Sequence, residues 1–511
     1  MTKLTLHDYQ EASVQRIINE PTKAALIGSE VGRGKTVLAV EAALRLGWKR
    51  FLIIGIVHTF GQWDDTLKGQ SEGAVSLRKL DSTKEGRANY EAFLAGDEGA
   101  FFAGIQWLQA QDWKCQDKLD TAGNPMPLID KKTGEPTGKF QRERIHLKTF
   151  AKMSDRKNGG LDGVIFDEAH QVSNRNSIGR KTLLTFKGMN GEPMWKIALS
   201  ATWSGNSFEH AWSLPRWCWP GEIPAYWIWH EKWAKTETQY VGGGRAVQVV
   251  VGEKEPEGAF AASLPCYIRD VAEERAPEPV LIYCDSTPEQ RAQYEELKSE
   301  LFTWASTWDG DREPLVVDIP AVLHSRLKQV ALAELSFDGD GQVNFAIDAP
   351  SAKLKPLRGL LDQWGDQPAL IYVAGSKKYA RMVSLRMNAA GYRNELWTGD
   401  VSQKERARIK ADFMEGRVQY IIATPEAVGV GTDGLQRVCS KMVWLSSPDG
   451  DPKLEEQGVG RLFRPGRTLE HGDFVDARIL MRDSLDTETL EKLIAKGRSV
   501  RASISKEPLP V

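Results

Sequence analysis

The chain has 511 residues, of which 41% are hydrophobic and 27% charged, and its formal net charge at pH 7 is −2. This length predicts two or three domains, and the balanced charge excludes a globally basic coat, so any contact with a polyanion must come from local patches. The five cysteines are scattered and form no Cys-x-x-Cys pair, so they suggest neither a zinc ribbon nor a disulfide framework. The sequence shows no signal segment and no long apolar run, and it therefore predicts a cytoplasmic protein without a membrane span.

The first predicted elements are a strand in "TKAALIGSE" and a helix in "TVLAVEAALRLG", joined by a glycine-rich turn. The turn matches the P-loop pattern G-x-x-x-x-G-K-[ST] at Gly34, Lys35 and Thr36, but Ser29 occupies the first glycine position. Glycines such as Gly32 and Gly34 let backbone N–H groups close around phosphate oxygens. The stretch therefore predicts a phosphate site with Lys35 on the β- and γ-phosphates and the Thr36 hydroxyl on Mg²⁺. A strand-to-helix turn without a ligand is the alternative.

An insertion follows at about residues 110–160. Its core at 131–158 carries nine lysines and arginines against three acidic residues, with turn signals in "KKTGEPTGK". This charge favours a hairpin that contacts a nucleic-acid backbone. A solvated surface loop explains the composition equally well, and the sequence leaves both interpretations open.

The segment "LDGVIFDEAHQVSNRNS" predicts a short buried strand with two carboxylates at its carboxyl end. Ligands bind at that end of strands in doubly wound sheets. Adjacent carboxylates beside a phosphate site repel each other unless a metal ion offsets the repulsion. We therefore predict that Asp167 binds Mg²⁺, directly or through water, and that Glu168 orients and deprotonates an attacking water. A solvated acidic turn is the alternative.

The "GKT" and "DEAH" segments together resemble motifs I and II of the superfamily-two helicases and translocases. The remaining motifs follow in the family's order as "LHDYQ", "ALSATW", "LWTGDVSQKER", "IIATPEAVGVGTDGLQ" and "QGVGRLFRPGR". The resemblance implies an α/β fold of two RecA-like parallel-sheet lobes in tandem, with an ATP cleft between them. It also implies ATP and Mg²⁺ as cofactors and a nucleic acid as partner.

The resemblance also implies a role for each matching residue. Catalysis would fall to Lys35, Glu168, Arg461 and Arg464. Nucleotide binding would use Gln10, Gly32, Gly34, Lys35, Thr36, Asp167, Asp433 and Gln457, with Thr36 and Asp167 also holding Mg²⁺. Contacts to the nucleic-acid backbone would come from Thr59, Thr202, Ser376, Thr398 and Thr424. Within these sets, Gln10 would read adenine, and Arg461 and Arg464 would act as arginine fingers.

Several segments resemble the SWI/SNF-type branch of the family. They include "HTFGQWDDTL", the acidic box with its polar continuation, "LPCYIRD", "SAKLKPLRGLL" and "TETLEKLIAKGR". The chain departs from that branch in lacking the first P-loop glycine, the proline of the "QW" segment and the usual motif V pattern. It is also too short for the large insertions of nucleosome remodellers. Compact chains of this kind resemble bacterial and phage-encoded enzymes.

The motif order predicts four regions. Residues 1–215 form the first lobe, 216–350 a Trp-rich connector with a helix near 288–305, 351–482 the second lobe, and 483–511 a brace helix and tail. Eight of the 17 tryptophans lie between Trp195 and Trp233. Packing in a core explains them better than stacking on unpaired bases, because tryptophan buries a large apolar area.

These features predict an ATP-dependent DNA translocase that follows the backbone of duplex or branched DNA without sequence specificity. We expect it to act as a monomer, with no membrane partner and with protein partners left open. A strand-separating or branch-migrating helicase at forks and junctions is the main alternative. An RNA helicase and a nucleotide-gated binding protein are further alternatives. The "QW" segment and the "PG" pair in "SLPRWCWPGEIPAYW" resemble the DNA branch and argue against an RNA helicase. The intact Glu168 and arginine fingers argue against a nucleotide-gated binding protein.

Overall fold

The computed structural model divides into two compact units. The first contains Met1–Val271 and Val500–Val511, and the second contains Ala272–Ser499. The structure describes residues 3–30, 32–120, 124–129, 136–152, 160–189, 192–205, 207–241, 245–254, 256–271, 274–307, 309–317, 319–428, 434–464, 466–468, 470 and 472–504. The boundary at Val271 divides the predicted 216–350 connector between the units. The four-region division remains a proposal.

The first unit is built on a parallel sheet with the strand order β13-β1-β10-β9-β2-β4-β3. Strands β1 and β2, "AALI" and "RFLII", bury every residue, as expected where helices cover both faces of a parallel sheet. The strands of this unit are β1 (Ala24–Ile27), β2 (Arg50–Ile54), β3 (Leu77–Lys79), β4 (Gly99–Ala103), β5 (Trp113–Asp117), β6 (Pro127–Ile129), β7 (Pro136–Phe140), β8 (Arg142–His146), β9 (Gly163–Asp167), β10 (Trp195–Leu199), β11 (Ala234–Val241), β12 (Arg245–Glu253) and β13 (Tyr267–Ile268).

Helices follow most of the sheet strands in βα order. They are α1 (Asp8–Ile18), α2 (Lys35–Arg45), α3 (Phe60–Gln70), α4 (Lys84–Ala95), α5 (Ile105–Asp112), α6 (Ile178–Leu183), α7 (Ser213–Cys218), α8 (Tyr226–Trp233) and α9 (Ala259–Ala262). The predicted strand and helix around the P-loop are confirmed as β1 and α2, and the predicted strand before the acid pair is confirmed as β9.

The basic insertion forms antiparallel pairs, β5 with β8 and β6 with β7. Its base is fixed by the buried Asp112, whose carboxylate lies 2.8 Å from His146 Nε2 and accepts the Thr149 N–H at 2.9 Å. The His146 ring stacks on Trp113 with 4.3 Å between ring centroids. The antiparallel β5–β8 pairing has the form of a hairpin. Its contact with a nucleic acid stays a prediction, and parts of the basic core lie outside the described residues.

The tryptophan-rich stretch is mostly core. Side chains that expose 8% or less are Trp203, Trp212, Trp217, Trp219 and Trp229. The packing interpretation is confirmed for these five. Trp227 on α8 differs, since 68% of it is exposed.

The second unit is built on another parallel sheet, with the strand order β14-β23-β22-β19-β21-β20. A smaller sheet has the order β16-β15-β17-β18. The strands are β14 (Val280–Cys284), β15 (Phe302–Ser306), β16 (Arg312–Val316), β17 (Ser336–Phe337), β18 (Val343–Asn344), β19 (Ala369–Val373), β20 (Asn394–Trp397), β21 (Tyr420–Ala423), β22 (Lys441–Ser446) and β23 (Val475–Met481). Two α/β units with parallel sheets confirm the predicted fold class.

The helices of the second unit are α10 (Pro288–Glu300), α11 (Pro320–Val330), α12 (Leu354–Trp364), α13 (Lys377–Ala389), α14 (Gln403–Met414), α15 (Pro425–Val428), α16 (Pro452–Val459) and α17 (Leu485–Ile504). The predicted C-terminal helix is α17, and the tail at 505–511 lies outside the described residues. In the part of the chain that the structure describes, no helix combines the length and apolarity needed to cross a bilayer.

The prediction of a helix from 288 to 305 is wrong at its end. Helix α10 stops at Glu300, and Leu301 takes a left-handed backbone with φ 61°. The following residues form β15, which pairs antiparallel with β16. Its sequence, "FTWAS", is rich in residues that fit a pleated surface, and the partner strand decides the outcome.

Candidate functional site

The P-loop lies between β1 and α2 at the carboxyl edge of the first sheet. Gly32 and Gly34 have φ values of 84° and 75°, a region that favours glycine. A Cβ on Gly34 would lie 2.4 Å from Gln10 Nε2, so a side chain there would displace the Gln10 amide from the loop. Helix α2 begins at Lys35 without an acidic residue in its first turn, which leaves its positive end open to an anion.

The Lys35 ammonium lies within this loop. Its Nζ donates to the carbonyl oxygens of Ser29 at 2.8 Å and Glu30 at 3.0 Å. The side chain of Thr36, the next residue of α2, is partly exposed. Both predicted phosphate and metal residues are thus at the start of one helix.

Gln10 lies on α1 beside the loop and exposes only 7% of its surface. Its Oε1 accepts the His7 N–H at 3.0 Å, and its Nε2 donates to the Arg33 carbonyl at 3.4 Å. The Arg33 guanidinium lies 4.2 Å from the centre of the Tyr9 ring. Helix α1 is therefore attached to the P-loop by the residue predicted to read adenine.

The acid pair ends β9, which lies between β10 and β2 in the sheet. Burial and the neighbouring Glu168 carboxylate raise the pKa of Asp167 to about 7, while the charge of Lys35 acts in the opposite direction. Glu168 takes a left-handed backbone with φ 49°, a strained conformation of the kind that clusters at functional sites. The structure thus brings Lys35, Asp167 and Glu168 together, and the raised pKa marks a carboxylate that a cation would stabilise.

Trp63 is a site residue that the sequence did not reveal. It lies on α3, exposes 1% of its surface, and donates its indole N–H to Asp167 Oδ2 at 3.1 Å. Hydrogen bonds to a ligating carboxylate fix its orientation. The "QW" segment resembles the SWI/SNF-type branch, but no residue near Trp63 in the sequence indicates a hydrogen bond to Asp167.

We expect Trp63→Phe to raise the Mg²⁺ concentration needed for nucleotide hydrolysis by roughly 10-fold or more, because phenylalanine cannot donate to Asp167. A Mg²⁺ titration of the rate measures this shift. The matched control is Trp229→Phe, since that indole is also fully buried and its N–H has no acceptor among the described residues. Equal Mg²⁺ requirements in the two variants would contradict the role of Trp63.

The motif III segment is linked to the acid pair through His170. Its Nδ1 lies 3.1 Å from Ser200 Oγ and 3.2 Å from Glu168 Oε2. Ser200 follows β10, the strand beside β9. His170 thus joins the Glu168 carboxylate to the start of the "SAT" loop.

In the second unit, the predicted motif VI residues lie on α16 and the turn after it. Gln457 is on the helix, and Arg461 and Arg464 follow it, each partly exposed. A Cβ on Gly458 would approach the Trp444 ring to 2.8 Å, so the helix packs tightly on β22 at this glycine. Asp433 lies outside the described residues.

The five predicted nucleic-acid residues follow strands at the carboxyl edges of the two sheets or begin helices there. They expose between 3% and 9% of their surface: Thr59, Thr202, Ser376, Thr398 and Thr424. Ser376 accepts the Tyr379 N–H at 3.2 Å as the N-cap of α13. The Thr59 hydroxyl donates to the Ile56 carbonyl at 2.8 Å. These side chains thus offer little free surface of their own.

Two family models match the chain, one in each unit. The model for "Type III restriction enzyme, res subunit" matches residues 3–204, and the model for "Helicase conserved C-terminal domain" matches residues 352–466. Together they cover more than half of the chain and contain the P-loop, the acid pair and motif VI. The chain belongs to the superfamily-two helicases and translocases.

Curated relatives of this helicase-family chain include "ATP-dependent RNA helicase RhlB" from Xanthomonas campestris pv. campestris strain B100, 25% identical over 213 residues, or 39% of this chain and 33% of that protein. The protein of the same name from Xanthomonas axonopodis pv. citri strain 306 is 26% identical over 167 residues, or 32% and 25% of the two chains. The chain spans about a third or less of the length of these relatives. Among solved structures, "Sulfolobus solfataricus SWI2/SNF2 ATPase core in complex with dsDNA" is 15% identical, covers 99% of this chain and 96% of that chain, and has a TM-score of 0.39.

The donor set of this helicase-family site fits Mg²⁺. Asp167 and Thr36 offer a carboxylate and a hydroxyl, the hard oxygen ligands that Mg²⁺ prefers. Among the described residues, no group of three or more histidine, cysteine, aspartate or glutamate side chains is placed to hold a metal ion. Mg²⁺ is commonly held in proteins by one or two carboxylates together with substrate phosphates and water.

Proposed function

We propose that the chain is an ATP-driven translocase of the SWI/SNF-like branch that moves along the DNA backbone without sequence specificity. The observation that supports this most directly is the convergence of Lys35, Asp167 and Glu168 at the carboxyl edge of one parallel sheet. In this proposal Lys35 neutralises phosphate charge and Glu168 accepts a proton from water. Phosphoryl transfer needs alignment and cations more than covalent chemistry.

In the proposed reaction, Lys35 and the amino end of α2 bind the β- and γ-phosphates of ATP, and Gln10 recognises adenine. Asp167 and Thr36 would hold Mg²⁺, which supplies positive charge to the phosphates when bound. Glu168 orients the attacking water and takes its proton.

We further propose that the nucleotide binds in a cleft between the two lobes, with Gln457 and Asp433 contributing from the second. Arg461 and Arg464 would then reach the γ-phosphate when the lobes close. Hydrolysis would accompany closure, and product release would permit opening.

Replacing Glu168 with glutamine should leave ATP binding intact and lower kcat by roughly 10²-fold or more, because the amide cannot accept the proton. Nucleotide binding and single-turnover hydrolysis separate the two effects. A control is Glu192→Gln, since the Glu192 side chain is exposed and forms a 3.8 Å ion pair with Lys23 in the same unit. A Glu168→Gln enzyme that turns over at the wild-type rate would refute the assignment.

The proposed DNA contacts are Thr59, Thr202, Ser376, Thr398 and Thr424. Two of them support backbone binding by their position, since Thr59 precedes α3 and Ser376 caps α13. Helix amino ends favour phosphate oxygens and carry no sequence information. Binding should therefore weaken steeply with salt and differ little between DNA sequences.

The choice of DNA over RNA rests on the "QW" segment and on the "PG" pair in "SLPRWCWPGEIPAYW", which resemble the SWI/SNF-type branch. The RNA helicase named among the relatives is the specific observation that favours the other polymer. ATPase stimulation should be compared across single-stranded, duplex, forked and four-way DNA, and RNA. Stimulation by duplex DNA supports the proposal, and stimulation by RNA alone would overturn it.

Strand separation is the second candidate, favoured by the β5–β8 pair of the insertion, which carries Arg142 and Arg144 and is fixed at its base by Asp112. A strand-separating enzyme would unwind forks, whereas a duplex translocase would displace a triplex strand without unwinding. Triplex displacement without fork unwinding supports the leading proposal, and the reverse result supports the second.

A further inference from the structure

Ser29 occupies the position where the P-loop pattern has its first glycine. Its hydroxyl both donates a hydrogen bond to Asp270 and accepts one from it. Its Oγ donates to Asp270 Oδ2 at 3.0 Å and accepts the Asp270 N–H at 3.1 Å. Ser29 is fully buried. The Asp270 carbonyl also accepts the Glu30 N–H at 3.0 Å. Asp270 thus makes three hydrogen bonds to two successive residues of the loop.

Asp270 is held in register with the loop by the sheet. It follows β13, the edge strand that pairs in parallel with β1. The Gly28 N–H donates to the Ile268 carbonyl at 2.8 Å, so the pairing continues up to the residue before Ser29. Asp270 prolongs this ladder past the end of the strand.

The two residues that Asp270 holds are those that receive Lys35. The Lys35 ammonium donates to the carbonyls of Ser29 and Glu30. Movement of that segment would therefore move the resting position of the ammonium. The serine is tolerated in this fixed conformation because its hydroxyl is satisfied rather than buried without a partner.

We propose that Asp270 is a positioning residue for the nucleotide site, which holds Ser29 and Glu30 so that the loop receives phosphates without its usual first glycine. This inference rests on the proposed ATPase function and adds a residue to it. Asp270 does not touch the substrate in this account. It acts through the loop backbone and through Lys35.

The first test measures binding of a fluorescent ADP at equilibrium, together with thermal stability. Asp270→Ala should weaken nucleotide affinity about tenfold, because a buried hydroxyl loses its charged partner. Asp270→Asn should bind like the wild type, since its amide oxygen still accepts from Ser29. The matched control is Asp162→Ala. The Asp162 carboxylate accepts hydrogen bonds from the Lys49 and Arg50 N–H groups at the amino ends of β9 and β2 in the same sheet. That variant should keep its nucleotide affinity even if it melts earlier.

The second test asks whether Asp270 acts through Ser29. Ser29→Gly restores the usual pattern, and in that background Asp270→Ala should change affinity less than twofold. Ser29→Ala combined with Asp270→Ala should bind no more weakly than the weaker single variant, as expected for one shared interaction.

Two results would overturn the inference: wild-type affinity in folded Asp270→Ala, or an undiminished loss in the Ser29→Gly background. If Asp270→Ala does not fold, the two Ser29 variants test the inference instead. Ser29→Ala must then lose nucleotide affinity, and Ser29→Gly must keep it. A wild-type chain that binds no nucleotide would remove the ATPase proposal as well, whereas normal binding with an indifferent Asp270 removes only this inference.

Discussion

Lys35→Ala is expected to abolish ATP hydrolysis, with a loss of roughly 10³-fold or more in kcat/KM. A single neutral donor to developing negative charge is already worth about 10²–10³ in rate, and Lys35 carries a full charge. In the structure its ammonium rests on two loop carbonyls and acts electrostatically on Asp167. The substitution removes the Lys35 charge, which lowers the pKa of Asp167 and so offsets part of the repulsion within the acid pair. Steady-state ATPase with saturating DNA measures the loss.

The control for this prediction is Lys68→Ala. Lys68 lies on α3 in the same unit and pairs with Asp64 at 2.6 Å, on a partly exposed helix surface. Its loss should leave ATPase activity unchanged, because exposed ion pairs contribute little. Lys35→Arg should recover only part of the activity, since the guanidinium is planar and larger than an ammonium. Retained turnover in Lys35→Ala would remove the phosphate role.

The sequence predicted those parts of the site that are local in the chain. The P-loop, its strand and its helix occupy consecutive residues, and the acid pair directly follows the apolar run "GVIF". Continuous apolar runs between turn signals predict buried strands of a parallel sheet, and the structure confirms them as β1 and β9. The motif VI arginines were also found in one short stretch.

The partners of these residues could not be predicted, because the sheet brings them together from distant positions. Asp270 lies 241 residues after Ser29, and Asp167 lies 104 residues after Trp63. No periodicity or spacing encodes such a pair. Ser29 itself was the available signal, since a buried hydroxyl in place of glycine requires a partner. The strand β15 was missed for the same reason, since its pairing with β16 is tertiary.

Arg464→Ala is expected to lower the DNA-stimulated ATPase rate by roughly 10³–10⁵-fold, or about 4–7 kcal/mol of transition-state stabilisation. The physical reason is that negative charge develops on the γ-phosphate oxygens in the transition state. An arginine from the second lobe would stabilise that charge only when the lobes close. Nucleotide binding by the first lobe should change little, because Lys35 and the P-loop are intact. The fall should therefore appear in kcat, measured with saturating ATP and duplex DNA.

Arg467→Ala is the matched control, three residues further along the same segment. Arg467 is engaged elsewhere, since its Nη2 lies 2.5 Å from Glu274 Oε1 and its guanidinium lies 4.6 Å from the centre of the Phe463 ring. Its removal should cost some stability and leave kcat within a few-fold of the wild type. If Arg464→Ala hydrolysed ATP as fast as Arg467→Ala, closure of the second lobe onto the nucleotide could not be the step that drives hydrolysis. The motor would then have to complete its chemistry within the first lobe, through the proposed roles of Lys35 on the phosphates and Glu168 on the attacking water.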